Sequence, residues 1–132
     1  MRISKSFSGT SGAIAAARQL MSSFLYNVRA GGTAVEEEAV EGAALVVSEL
    51  VTNAVKHTDG PLGVDLCITG EAVEICVWDS SPARPVLMGP DPARIGRHGM
   101  EIVAVLCGGF SVTPRAGGKQ ITARLPLRAG AA

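Results

Sequence analysis

Aromatic residues are scarce in this sequence, since Phe, Tyr and Trp together make up 4% of its 132 residues. A hydrophobic core must therefore be built from Val, Leu, Ile and Ala. Hydrophobic residues amount to 47%, which is enough to exclude a disordered chain. A chain of this length should form one domain over residues 1–132 and bury roughly two-thirds of its unfolded surface.

The sequence also lacks an excess of charge of either sign. Its 12 basic and 12 acidic residues balance, and no run of Lys and Arg suggests a nucleic-acid-binding surface or an electrostatic membrane anchor. No apolar run approaches the ~20 residues that a spanning helix needs, and the N-terminal residues lack a signal-peptide core. We therefore expect a cytoplasmic protein whose partners include neither nucleic acid nor membrane.

Cysteine is limited to Cys67, Cys76 and Cys107. An odd number without CxxC spacing argues against a disulfide framework and against a zinc site. Each cysteine lies in apolar sequence, so we predict reduced, buried thiols.

The first half of the chain shows helical patterns after one short strand. Alternation over residues 2–8 predicts the strand, and residues 13–29 predict a helix that stops at a glycine pair. Thr33 and Glu36 have the spacing of a capping box, which predicts a second helix over about 34–57.

The second half is rich in β-forming residues and turn signals. It predicts two hairpins with a short helix between them: strands over 62–69 and 72–79, a proline-containing loop over 80–95, a helix over about 100–106, and strands over 110–114 and 120–127. Early helices followed by antiparallel strands indicate an α+β fold. We expect a two-layer α/β sandwich in which helices cover one face of a mostly antiparallel sheet.

The predicted second helix is amphipathic. At about 100° per residue, one side collects six apolar residues that should pack on the sheet: Val40, Ala43, Val47, Leu50, Val51 and Ala54. Positions near Ser48 and Thr52 should face solvent.

Glu49, Asn53 and Lys56 follow one another at i, i+4 and i+7 along the border of that apolar face, and His57 adjoins them. Such residues are most often solvated, or form an i, i+4 pair worth a few tenths of a kcal/mol. Asn, however, is unfavourable inside a helix by roughly half a kcal/mol relative to Ala. Its amide oxygen could ligate Mg²⁺, and Glu49 could accept a proton from an attacking hydroxyl.

The segment 49–57, ELVTNAVKH, resembles the N box of the GHKL superfamily, which includes gyrase, heat-shock chaperones, histidine kinases and mismatch-repair ATPases. More narrowly, the chain is similar to the bacterial anti-sigma-factor serine/threonine kinases and their actinobacterial relatives, from its first helix to its last strand. The resemblance implies a Bergerat-type ATP-binding fold with ATP and Mg²⁺ as cofactors.

The resemblance also implies roles for individual residues. Glu49 would act as general base and Asn53 would coordinate Mg²⁺. Lys56, with the adjoining His57, would reach the phosphates. Asp79, at the end of a predicted strand, would accept a hydrogen bond from the adenine amino group.

A glycine box before the short helix is implied to lie at the phosphates, because glycines entering a helix let the backbone approach an anion. Its members are Gly96, Arg97, His98, Gly99 and Met100. Arg97, His98 and Lys119 could contact phosphate. A final Gly-then-Thr element is matched by Gly118 and Thr122.

The second box departs from the family pattern. Where relatives have Asp-x-Gly-x-Gly, this chain continues from Asp79 with Ser, Ser, Pro and Ala, so Ser81 and Ala83 take the glycine positions. The following loop is rich in proline. We therefore expect nucleotide binding to be better preserved than turnover.

The leading interpretation is an ATP-dependent serine/threonine protein kinase that phosphorylates an anti-sigma-factor antagonist and regulates transcription by partner switching. Its partners would be a sigma factor, the antagonist protein or both, and a second copy of the chain, since relatives commonly dimerise. The alternative is a nucleotide-gated protein-binding module with little or no kinase activity. A degenerate domain that binds no nucleotide is the third interpretation.

Overall fold

The computed structural model describes residues 1–8, 12–58, 60–80 and 98–130, without the side chains of His57 and His98. Its elements follow in the order β1 (Arg2–Phe7), α1 (Gly12–Ala30), α2 (Glu37–His57), β2 (Leu62–Thr69), β3 (Ala72–Asp79), α3 (His98–Cys107), β4 (Ser111–Arg115) and β5 (Gly118–Pro126). The predicted α+β class is confirmed. The predicted loop over 80–95 lies outside the described residues except for Ser80.

In the described part of the chain, the strands form an antiparallel sheet in the order β1-β2-β3-β5-β4. The turn between β2 and β3 contains Gly70, whose φ is 61°, and the turn between β4 and β5 contains Gly117, whose φ is 76°. Glycine adopts this left-handed region at little cost, so the turn residues fix the strand pairing. Both predicted hairpins are confirmed.

The sheet has a helix face and an outer face, because successive side chains of a strand point to opposite sides. On β3 and β5 the buried side chains of the helix face are Val73, Ile75, Val77, Asp79, Lys119, Ile121, Ala123 and Leu125. The outer face of the same two strands carries half-buried side chains, among them Cys76, Trp78, Gln120 and Thr122.

Helix α2 contacts α1, α3 and strands β3 and β5 of the sheet. The six residues predicted to face the sheet are each at most 4% exposed, which confirms that face. The prediction that Ser48 and Thr52 face solvent is wrong: both are half-buried, and Thr52 Oγ1 donates to the Ser48 carbonyl at 2.7 Å. The reason is tertiary: α2 also contacts α1 and α3, so burial on this helix extends beyond the face that packs on the sheet, while Leu45 is exposed.

Helix α2 begins three residues later than the capping-box spacing predicts. Its N-cap is Glu36, in an extended conformation and without a side-chain cap hydrogen bond. The backbone N–H of Glu36 donates to Leu127 O at 2.8 Å, and Arg29 Nε donates to Val35 O at 3.0 Å. These contacts hold residues 33–36 as a strand-like connector against the end of β5, so the predicted box at Thr33 does not form.

Helix α3 starts at His98, two residues before the predicted helix, and Gly99 therefore lies within its first turn. No helix among the described residues is long and apolar enough to cross a membrane.

The three cysteines are free thiols, as predicted, but each is half-buried rather than fully buried. Burial raises the pKa of the Cys107 thiol to about 11, against a smaller lowering by a hydrogen bond to the Arg124 backbone. Burial also raises the pKa of Cys76. Because the thiolate is the reactive species, both thiols should be poor nucleophiles at neutral pH.

We expect native Cys107 to react with iodoacetamide at pH 8 on the order of a hundredfold more slowly than an ordinary thiol of pKa ~8.5. Its alkylation rate should keep rising with pH up to about 11, since the raised pKa keeps the group protonated below that value. Peptide mapping by mass spectrometry gives the rate, and the urea-unfolded chain is the control. Equal rates in the native and unfolded chains at pH 8 would contradict this environment for Cys107.

Candidate functional site

The last turn of α2 lies beside the end of β3. Thr58, the C-cap residue, shares a 3.0 Å hydroxyl–hydroxyl hydrogen bond with Ser80, the residue after β3. Thr58 Oγ1 also accepts from the Gly60 N–H at 2.9 Å. A Cβ on Gly60 would lie 2.4 Å from Ser80 Oγ, so a larger residue here would require the Ser80 side chain to move. The corner brings the polar border of α2 to the same end of the sheet as Asp79.

Asn53 lies one turn before this corner, and its amide oxygen is the most informative atom of the site. Oδ1 is buried, yet it accepts no hydrogen bond from the residues that the structure describes. Leaving a buried acceptor unsatisfied costs about 1–3 kcal/mol, and such atoms are rare in folded proteins. An oxygen held away from water without a partner is suited to receive a ligand.

The residues present fit a magnesium ion. Mg²⁺ prefers oxygen ligands and keeps water and phosphate oxygens in its shell, so one amide oxygen from Asn53 is an appropriate contribution. Within the described ranges no group of three or more His, Cys, Asp or Glu could hold a metal by itself. A metal here would therefore depend on phosphate for most of its charge.

Glu49 lies one turn before Asn53 on the same border and is also half-buried. A Cβ on Gly99 would lie 2.1 Å from Glu49 Oε2, so the first turn of α3 is packed against the carboxylate. The N-terminus of a helix has unpaired N–H groups and partial positive charge, which favour an anion. The structure thus brings Glu49 and Gly99 together, whereas Met100 packs against the core.

Asp79 and Lys119 form a buried ion pair on the helix face. They are cross-strand partners of β3 and β5, and are 4% and 3% exposed. Lys119 Nζ lies 2.9 Å from Oδ2 and 3.2 Å from Oδ1 of Asp79. Removing one member of such a pair typically costs about 3–5 kcal/mol, because the other charge stays buried alone. The sequence offers Lys119 as a residue that could contact phosphate, and the structure pairs it with Asp79.

Gly118 makes the close approach that fixes this pair. A Cβ on Gly118 would lie 1.9 Å from the Asp79 carbonyl oxygen and 2.9 Å from Ser80 Cα. The contacting atoms are backbone, so neither can move aside as a side chain could. The predicted glycine element therefore has a steric basis at Gly118.

Thr122 is not brought to the site. It pairs with Cys76 on the outer face, where its side chain offsets part of the rise that burial causes in the pKa of the Cys76 thiol. The sheet separates Thr122 from Asn53 and Asp79, because a three-residue step from Lys119 reverses the side of the strand.

The remaining candidate residues are exposed or lie wholly or partly outside the described residues. Lys56 is exposed on α2, and His57 and His98 belong to helices although their side chains are outside the described residues. Gly96 and Arg97 also lie outside them.

Residues 8–125 match the family model of the histidine kinase-like ATPase domain. The chain belongs to this family. The resemblance read from the N box is confirmed at the level of the family, and an ATPase family implies a nucleotide-binding fold. No curated protein matches the sequence.

Two solved structures share the fold of this ATPase domain. The RsbU and RsbW domains of a Mycobacterium tuberculosis protein superpose with a TM-score of 0.71 at 19% identity, over 96% of this chain and 32% of that one. The histidine kinase domain of a blue-light-activated histidine kinase from Erythrobacter litoralis gives 0.50 at 26% identity, over 68% of this chain and 45% of that one. The ATPase domain thus spans less than half of either relative.

The pairing of Lys119 with Asp79 was not predicted from the sequence. Part of this pairing is visible in the sequence, because side chains alternate between the two faces of a strand and Lys119 therefore lies on the same face as Ile121 and Ala123. The strand register that sets it opposite Asp79 has no local sequence signal.

Proposed function

We propose that the chain is the ATP-binding domain of an anti-sigma-factor-like serine/threonine protein kinase, which phosphorylates an anti-sigma-factor antagonist and controls transcription by partner switching. The observation that carries the proposal is the buried, unsatisfied Oδ1 of Asn53, one helical turn from Glu49. The family supports nucleotide chemistry. The fold shared with the RsbW-containing structure supports the narrower assignment.

The site residues divide the work of phosphoryl transfer, in which positioning and charge neutralisation supply most of the catalysis. Asn53 would hold Mg²⁺ through Oδ1, and the ion, when bound, would neutralise phosphate charge. Backbone N–H groups of the first turn of α3 would donate to a phosphate near Gly99. Asp79 would accept from the base at the other end of the nucleotide.

Glu49 would act on the substrate hydroxyl. One helical turn is about 5.4 Å, so its carboxylate would lie close to a metal-bound phosphate at Asn53. As the hydroxyl oxygen bonds to the γ-phosphorus and the bond to ADP breaks, Glu49 would take the hydroxyl proton. The half-buried setting limits competition from water.

A nucleotide-gated binding module without transfer is the second candidate. The close packing of Glu49 Oε2 on Gly99 favours it, because in this arrangement the carboxylate occupies the helix end that a phosphate would use. The two candidates share nucleotide binding and differ in whether γ-phosphate is transferred.

Replacing Asn53 with Ala should weaken Mg-ATP binding by about 10- to 100-fold, the loss expected for a charge-assisted contact of ~1.5–3 kcal/mol. Isothermal titration calorimetry with Mg²⁺ and with EDTA measures this, and the difference between variant and wild type should shrink in EDTA. Thr52→Ala is the matched control, since the neighbouring Thr52 hydroxyl is already bonded to Ser48. An Asn53→Ala protein that binds Mg-ATP as tightly as wild type would contradict the proposal.

The same variant should be more stable than wild type without ligand. It removes an unsatisfied buried acceptor and gains roughly half a kcal/mol of helix propensity, so Tm should rise by a few degrees. A loss of stability would show instead that Asn53 has a structural role.

A further inference from the structure

The base end of the site contains a cation that a simple adenine-reading carboxylate does not need. Lys119 is 3% exposed and contacts both oxygens of Asp79. An ammonium has three N–H donors. Nζ donates to Oδ1 of Asp79 and forms an ion pair with Oδ2, and among the described residues no other acceptor is bonded to it.

A carboxylate without such a neighbour distinguishes purines by the group that they carry at position 6 of the ring. It accepts from the amino group of adenine, whereas the 6-oxo group of hypoxanthine or guanine would place oxygen against oxygen. Sites built around one hydrogen-bonding pattern reject the wrong group by large factors, because buried polar groups are then left unpaired. Asp79 alone would therefore specify ATP.

The ion pair presents an acceptor and a donor side by side. Adenine offers its amino group to Asp79 and its N1 acceptor to Lys119. Hypoxanthine and guanine offer N1–H to Asp79 and O6 to Lys119. A carboxylate has about four acceptor directions, and the contacts with the ammonium take one on each oxygen of Asp79.

We propose that Lys119 is a specificity-determining residue of the base site, and that it allows 6-oxo purine nucleotides, ITP and GTP, to bind alongside ATP. This proposal rests on the proposed nucleotide site. The ion pair lies at the same end of the sheet as Asn53, joined to the last turn of α2 through the Thr58–Ser80 hydrogen bond.

The test compares Mg-ATP with Mg-ITP, which differ in the base only at the 6-position and at the proton on N1. Calorimetry should give wild-type dissociation constants within tenfold of each other. Lys119→Met, which keeps an unbranched apolar stem, should raise the preference for ATP over ITP by tenfold or more. Lys119→Arg, which keeps N–H donors beside Asp79, should retain the wild-type ratio.

Inorganic triphosphate is the control ligand, because it has no base. Its affinity should be the same for wild type and Lys119→Met. Equal weakening of ATP, ITP and triphosphate would overturn the proposal by placing Lys119 at the phosphates.

The wild-type ratio is decisive even if Lys119→Met does not fold. A wild-type protein that binds ATP but prefers it over ITP by more than tenfold would overturn the role of Lys119 and leave the nucleotide site standing. An unchanged ratio in Lys119→Met would do the same. A wild-type protein that binds none of these ligands would instead contradict the proposed function.

Discussion

Replacing Glu49 with Gln should lower γ-phosphate transfer by about 10²–10⁴-fold, the usual contribution of a general base, while Mg-ATP affinity stays within a few-fold of wild type. Gln keeps the size of the side chain that packs against Gly99, so the first turn of α3 should not move. The change removes only the ability to take the proton of the substrate hydroxyl. Binding and transfer should therefore separate in this variant.

Transfer of labelled γ-phosphate to candidate antagonist proteins measures the effect, with calorimetry on the same preparations for affinity. Glu41→Gln is the matched control, because Glu41 lies two turns earlier on α2 and is exposed. Transfer by Glu49→Gln at the wild-type rate would remove Glu49 from the mechanism. Nucleotide binding by the wild type without transfer to any candidate protein would favour the binding module.

Replacing Gly118 with Ala should lower the free energy of unfolding by about 3 kcal/mol, at the upper end of the usual cost of overpacking. The added Cβ would lie 1.9 Å from the Asp79 carbonyl oxygen, and both contacting groups are backbone. The start of β5 must separate from β3 to relieve the clash. Because Asp79 and Lys119 are the neighbouring cross-strand pair, this movement should also weaken nucleotide binding.

Urea denaturation gives the change in stability. Gly42→Ala is the control, since a Cβ there would lie 3.6 Å from Leu125 Cδ2, an ordinary contact, and Ala is favoured over Gly inside a helix by about 1 kcal/mol. Gly42→Ala should be neutral or stabilising. A Gly118→Ala protein as stable as wild type would show that the close approach is not a constraint.

The elements that local patterns control were predictable from the sequence. The apolar face of α2 follows from a 3.6-residue period, and both hairpins follow from β-rich runs bounded by glycine turns. The start of α2 was not predictable in this way, because the Thr33–Glu36 pattern is local whereas the bond from Glu36 to Leu127 joins distant parts of the chain. The half-burial of Ser48 and Thr52 likewise depends on tertiary packing around α2, which a local period does not show.

In the candidate site, too, local motifs were predictable from the sequence and contacts between distant residues were not. Glu49, Asn53 and Asp79 could be singled out from the sequence because each lies in a short segment that resembles a family motif. Which of these residues contact one another could not be predicted, because contact depends on strand register and helix packing. The structure adds the approach of Glu49 to Gly99 and the partnership of Asp79 with Lys119, and it places Thr122 on the outer face.

We propose that a metal-bound triphosphate lies against the polar border of α2 at Asn53. Mn²⁺ takes the same oxygen ligands as Mg²⁺ and is paramagnetic, so Mn-ATP should broaden nearby amide signals in a two-dimensional NMR spectrum of the protein. We predict the strongest broadening at Glu49, Asn53 and Gly99, and the weakest at Glu37, which lies about 24 Å from Asn53 along the helix. Broadening centred elsewhere, or none with saturating Mn-ATP, would contradict the account.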